Sequence, residues 1–189
     1  MAVTTLADLP LLELLYSGKL WGHGPVQFTL VDRLLELDPG KSIVMSKQVS
    51  LAEEYLADHF PRFPVLPGVL MLEAAIQASA WLVRSTLDFS ASVVTLKTAR
   101  GIRYGAFVAP GHTLQVRAEA VDIQADRSDL KILGIVDGQT AIQGRLELRH
   151  INLGALDPAM AAIESNLIQT LRGRWQDLQR DAMINKAVA

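Results

Sequence analysis

The sequence predicts an α+β domain in which a curved antiparallel sheet wraps one long central helix, with an extra helix at the C-terminus. Three observations carry this. The stretch after Gly68 runs at least fifteen residues without glycine or proline and is apolar nearly all round. The second half alternates apolar runs with turn signals, and the character of the chain changes after Leu153. A helix without a polar face is surrounded by other structure, and antiparallel strands joined by turns are able to surround it.

Taken in order, residues 5–18 carry Leu6, Leu9, Leu11, Leu12, Leu14 and Leu15 among polar positions, which predicts a short N-terminal helix ended by Trp21-Gly-His-Gly-Pro25. Strands are expected over 26–37 and 41–51, joined at the turn Asp38-Pro39-Gly40. Pro61, Pro64 and Pro67 then place three of the chain's eight prolines within seven residues. Each fixes its own φ and biases its predecessor toward extended backbone, so this segment is a stiff lead into the next element. That element is the helix, with Val69, Leu72, Ile76, Ala80 and Val83 at helical spacing and Leu70, Ala74, Ala78 and Trp81 filling most of the remainder. Further strands are expected over 92–103, 113–125, 129–136 and 140–150, the last two joined by the hairpin turn Asp137-Gly138. Asp157-Pro158 combines a capping side chain with proline at the first helical position. Ile163, Leu167, Leu171, Trp175 and Leu178 beyond it form a stripe expected to pack on the chain's own sheet or across an oligomer interface. The expected division is a main domain over 1–153 and a helical extension over 154–189.

Composition narrows the function classes. The 189 residues are half hydrophobic and 20% charged, and a chain of this size buries roughly 70% of its unfolded surface without staples. The absence of cysteine excludes disulfides, thiolate nucleophiles and zinc–thiolate sites. Eighteen basic against twenty acidic residues argue against a nucleic-acid partner. The first basic residue is Lys19, so residues 1–18 lack the basic start of a secretory signal and a cytoplasmic location is expected. The apolar run Phe63–Val83 is broken by Pro64 and Pro67, which leaves about fifteen helical residues where a membrane span needs about twenty. No membrane partner is expected, and no pair of histidines has metal-ligand spacing; His23 is read as structural, and His112 and His150 are isolated.

Two residues stand out chemically. Glu73 is the sole ionisable residue of that apolar run, and an unpaired buried carboxylate costs several kcal/mol unless it finds a partner or stays protonated. A protonated carboxyl there suits a general acid, and a neutral imidazole at His59, at the head of the proline segment, suits a general base. Histidines near strand ends are more often structural than catalytic, so on the residues alone both readings stay open.

The run His59-Phe-Pro-Arg-Phe-Pro-Val-Leu-Pro-Gly-Val-Leu-Met-Leu-Glu73-Ala-Ala-Ile-Gln77 resembles the active-site signature of the 3-hydroxyacyl-[acyl carrier protein] dehydratases, a hot-dog-fold family. Leu30-Val-Asp-Arg upstream, and Arg103-Tyr104 and Val108-Ala-Pro-Gly111 downstream, resemble its flanking segments. The resemblance implies a hot-dog fold and a homodimer joined edge to edge, sometimes a trimer of dimers, with His59 of one subunit facing Glu73 of the other. It implies that His59 takes the C2 proton, that Glu73 assists the leaving hydroxyl, and that the Gly68 N–H stabilises the thioester oxygen. Phe60, Pro67, Val69 and Gln77 are expected to line the acyl tunnel, with no cofactor. The partner implied is an acidic acyl carrier protein, and the acid-free stretch from Phe89 to Ala118 offers Lys97, Arg100 and Arg103 for its docking.

Departures from the family pattern gather near the expected tunnel mouth: Asp58 for a glycine, Arg62-Phe63 for a small and a basic residue, and Gly105, Ala106, Phe107 and His112 for a basic-basic-proline run and an aspartate. Two other readings remain, a non-catalytic or specialised acyl-binding module and a hot-dog thioesterase. Retention of both His59 and Glu73 argues against the first, and the Pro-Gly-Val helix start together with the histidine argues against the second.

Overall fold

A computed structural model describes residues 28–58, 60 and 62–188. The expected N-terminal helix over 5–18, the break at 21–25 with His23, and His59 itself lie outside the described residues, as does the side chain of Asp58. Strand β1 (Arg33–Asp38) pairs with β2 (Ser42–Gln48) through the Asp38–Lys41 turn, where Gly40 takes a φ of +75° that other residues rarely adopt. A four-residue helix α1 (Tyr55–Asp58) leads to the proline segment and the long helix α2 (Gly68–Thr86). The strands β3 (Val93–Tyr104), β4 (Thr113–Ile123), β5 (Arg127–Val136) and β6 (Gln139–Ile151) follow. Helix α3 (Leu153–Leu156), a 3₁₀ turn (Pro158–Met160) and α4 (Ala161–Val188) complete the chain.

The six strands form one sheet in the order β1-β2-β4-β5-β6-β3, with every neighbouring pair antiparallel. Because α2 and β3 intervene between β2 and β4, the chain crosses the concave face as the helix, and β3 returns at the far edge beside β6. This is the hot-dog arrangement. Strand β5 shows the period-2 logic plainly: Ser128, Leu130, Ile132, Gly134 and Val136 are buried while Lys131 and Ile135 face out. The hairpin at Asp137-Gly138 has positive φ at both residues, +49° and +76°, as a type I′ turn requires.

Three expectations need correction. Among the described residues the first strand begins at Arg33 and leaves out 28–32 of the expected span, because the amides of Leu30 and Val31 bond to the Gln77 side chain and not to a neighbouring strand. Asp157-Pro158 opens a 3₁₀ turn before the α-helix, with the Asp157 carboxylate accepting from the Ala159 N–H at 2.9 Å. Helix α2 is enclosed only in its second half, whereas Val69 near its start is 70% exposed. The C-terminal stripe packs on the chain's own core: Trp175 stacks on Trp81 at 5.6 Å, and Leu178 is buried beside it.

Candidate active site

The N-terminal end of α2 is positioned by the proline segment. Val65, Leu66 and Pro67 are buried, and the Leu66 N–H donates to the Val108 carbonyl at 2.8 Å, which ties the segment to the loop between β3 and β4. Pro67 has extended backbone with ψ 140° and no side chain caps the helix. Its carbonyl accepts from the Leu70 and Met71 amides. The Gly68 and Val69 N–H groups have no acceptor among the described residues, so the helix presents free amides and the positive end of its dipole here. The Tyr104 ring lies against Gly68 so closely that a Cβ at 68 would stand 3.1 Å from it. A side chain at this position would have to displace the ring.

Glu73 lies one and a half turns into the helix, half-buried. Its Oε1 accepts from the Gln77 side-chain amide at 2.9 Å. Gln77 uses its whole bonding capacity: its Nε2 also donates to the Phe28 carbonyl at 2.9 Å, and its Oε1 accepts from the amides of Leu30 and Val31 at 2.9 and 3.5 Å. Two backbone N–H groups can only donate, so they hold the Gln77 oxygen toward residues 30 and 31 and its NH₂ toward Glu73. The carboxylate is therefore gripped at Oε1, and Oε2 has no hydrogen-bond partner among the described residues. Sequence reasoning placed Gln77 on the tunnel wall and did not find this grip.

Around the same helix end lies an exposed apolar group comprising Phe60, Phe63, Val69, Tyr104 and Phe107. Phe60 has φ +51°, an outlier for a bulky residue, and its carbonyl accepts from the Phe63 N–H at 2.8 Å. Phe63 and Phe107, both departures from the family pattern, meet edge to face at 5.7 Å. Gly105, a third departure, has a local cause: its N–H bonds to Ala141, and a side chain would run into the Thr140 carbonyl. His112 replaces an aspartate but finds one, contacting Asp137 of the β5–β6 turn at 2.6 Å.

The three candidate docking cations are not equivalent. Lys97 and Arg100 both contact Glu147, at 2.7 and 3.2 Å, and the hydrogen bond from Lys97 holds that carboxyl below the usual carboxylate range. Arg103 is exposed and has no carboxylate partner among the described residues. No group of three or more potential metal ligands occurs among the described residues.

Residues 23–146 match the FabA-like domain family, well over half of the chain. The 3-hydroxyacyl-[acyl-carrier-protein] dehydratase FabZ of Albidiferax ferrireducens is 39% identical over 122 residues, covering 63% of this chain and 81% of that relative. The chain belongs to the FabA-like dehydratase family. Helix α4 lies beyond the segment that matches the family. Among solved structures, the dehydratase heterocomplex ApeI:P of Xenorhabdus doucetiae superposes with a TM-score of 0.57 at 17% identity, covering 70% of this chain and 89% of that one. A mutant of the thioesterase PA1618 of Pseudomonas aeruginosa does so at 0.51 and 16%, covering 79% and 96%. At these identities the superpositions speak for the hot-dog fold alone, which proteins named for different reactions share. No described helix is long and apolar enough to cross a membrane.

Proposed function

We propose that the protein dehydrates (3R)-3-hydroxyacyl groups held on an acyl carrier protein to trans-2-enoyl thioesters, in fatty acid or related acyl-chain synthesis. The observation that carries this reading is Glu73, gripped at one oxygen by Gln77, on the helix whose first two amides have no acceptor among the described residues. The C2 proton passes to His59, and Glu73 gives a proton from Oε2 to the C3 hydroxyl, which leaves as water. Charge that develops on the thioester oxygen is met by the Gly68 N–H, where removal of such a donor costs about 3 kcal/mol in the barrier. Return of the proton from His59 to Glu73 through water resets the pair.

The reading extends to assembly. Strand β3 is an edge of the sheet, and the exposed Phe60, Phe63, Val69 and Phe107 offer apolar area at the same helix end. A homodimer joined along β3 supports a site in which His59 of one subunit faces Glu73 of the other, with Phe60, Pro67 and Val69 on the tunnel wall. Arg103 is the strongest of the carrier-docking candidates, because Glu147 already occupies Lys97 and Arg100.

The test is the appearance of enoyl-thioester absorbance from a medium-chain 3-hydroxyacyl carrier protein. His59→Ala and Glu73→Gln should each lower kcat by about 10²–10⁴-fold with folding intact, the range for general acid–base groups. Release of free thiol, or no turnover across chain lengths and carriers, would overturn the proposal.

A further inference from the structure

The face of the sheet turned away from α2 carries a groove of about 500 Å³, lined by the cations Arg100, Arg103, Arg117, Lys131 and Arg145 and by the single carboxylate Glu119. These residues come from four adjacent strands, and their register makes the arrangement costly. Arg145 on β6 stands directly opposite Lys131 on β5 and directly opposite Arg100 on β3. Like charges facing across a ladder destabilise a sheet, and here the rule is broken on both sides of one residue. Such local conflicts are expected where a sequence serves a site.

The backbone is shaped to the same end. Between Arg100 and Arg103, β3 carries an extra residue: those two residues, three apart, pair with Arg145 and Gln143, which are two apart. Regular alternation would send residues three apart to opposite faces of the sheet. The bulge, with Gly101 at φ +60°, turns both guanidiniums to the groove side. Gly101 and Gly144 contribute no side chains to the lining.

Ion pairing leaves the charge in the groove largely uncancelled. Glu147 contacts Arg100 and Glu36 contacts Arg117, at 3.2 and 2.9 Å. Arg103, Lys131 and Arg145 have no carboxylate partner within ion-pair distance among the described residues.

We infer that this groove is a binding site for a small organic phosphate of nucleotide size, separate from the centre around Glu73. Its volume falls in the range of about 300–1,000 Å³ typical of small-molecule sites. Guanidiniums present paired N–H groups that match phosphate oxygens, and four of the five cations are arginine. The lining contains no aromatic residue, so the groove lacks the tryptophan and tyrosine anchors common in protein–protein contacts. The inference does not depend on the dehydratase reading.

The experiment is calorimetric titration of the full chain at low salt with ADP and with inorganic pyrophosphate, with sulfate as the simple-anion control. Both phosphates should bind, more tightly than sulfate and more weakly as salt rises. Arg145→Gln should weaken both by about tenfold or more, the worth of a charge-assisted hydrogen bond. The same substitution should raise the melting temperature of the ligand-free protein, because it relieves the repulsion from Lys131 and Arg100. The inference fails if neither phosphate binds, if sulfate binds equally well, or if Arg145→Gln leaves the affinities unchanged. It also fails if the groove takes an acidic carrier protein and no small phosphate.

Discussion

The two ends of α2 are built from the same kinds of residue and meet opposite fates. From Ala78 to Val83 six consecutive residues are buried, so the helix is enclosed on every side. From Gly68 to Gln77 only Met71, Ala74 and Ala75 are buried. The difference is α4. Trp175 stacks on Trp81, and Arg172 bonds to the Asp88 carboxylate at 2.8 Å and lies over the Phe89 ring at 5.0 Å. Asp88 and Phe89 both have positive φ, so α4 fastens a turn that is unfavourable for side chains of this kind. At the other end Phe63, Val69 and Phe107 stay exposed among the described residues. A clustered exposed apolar surface beside a carboxylate marks a place built for another molecule. Burial is concentrated at the closed end of the helix, and the proposed chemistry lies at the open one.

The largest effect that tests this division is the loss of Trp175. Removing a buried tryptophan costs about 3–5 kcal/mol, so Trp175→Ala should lower the denaturant midpoint sharply. Enoyl-thioester turnover measured well below the melting range should stay close to wild type. A proportional loss of kcat in the still-folded variant would break the comparison, because it would couple the closed end to the chemistry.

Next comes Gln77, at the boundary between the two regimes. Gln77→Met keeps the length of the side chain and loses the bond to Glu73 together with those to Phe28, Leu30 and Val31. A drop in kcat of about 10–100-fold is expected, the equivalent of one or two hydrogen bonds to a charged group. If Gln77 acts by positioning Glu73, its substitution should have little further effect on residual turnover in a Glu73→Gln background, since coupled residues are non-additive. Equal losses in both backgrounds would reduce Gln77 to a fastener of residues 28–31.

These residues also show what a sequence reveals. Glu73 was visible because a lone carboxylate in an apolar helix conflicts with burial, and that conflict is local. The grip of Gln77 was not, because its backbone partners lie 46 to 49 residues away. The same side chain displaced the start of β1 by taking over the amides of Leu30 and Val31. Helices α1 and α3 are four residues each, too short for any periodicity to mark them. The Asp137-Gly138 turn and the four later strands were legible because alternation and turn chemistry act within a few residues. The contact of Phe63 with Phe107, and the meeting of Arg100, Lys131 and Arg145, exist only through strand register and chain crossing, which no local pattern encodes. His59 stood out as a candidate base with a structural reading equally open, the motif favoured the catalytic one, and its placement opposite Glu73 belongs to the functional proposal.

The smallest effect concerns pH, and it belongs to the closed end. His150 is buried beyond the last turn of α2, bonded to Ser128 at 3.0 Å through Nε2 and to the Ala125 carbonyl at 3.2 Å through Nδ1. A carbonyl only accepts, so Nδ1 carries the hydrogen; in the neutral ring that burial favours, Nε2 then accepts from the Ser128 hydroxyl. Burial holds its pKa below the ordinary histidine value; the Arg84 charge acts in the same direction, and Asp126 and the backbone carbonyls of Ala125 and Gln124 oppose it. In the unfolded chain the imidazole takes up a proton as pH falls through about 6.5, while in the folded chain it does so only at lower pH. The unfolded state then binds more protons, and stability falls with decreasing pH by at most about 1.4 kcal/mol per unit. Asp88 and Glu147, whose carboxyls are held down by Arg172 and Lys97, lose their contributions only at more acid pH, where unfolded carboxylates protonate. Between pH 7 and 5 the two kinds of group are therefore separated. Denaturant titrations across that window should show wild type losing stability more steeply than His150→Gln, and parallel curves would assign the acid sensitivity elsewhere. If turnover at the open end changes with pH in the same way in both proteins while their stabilities diverge, the two ends of α2 titrate independently.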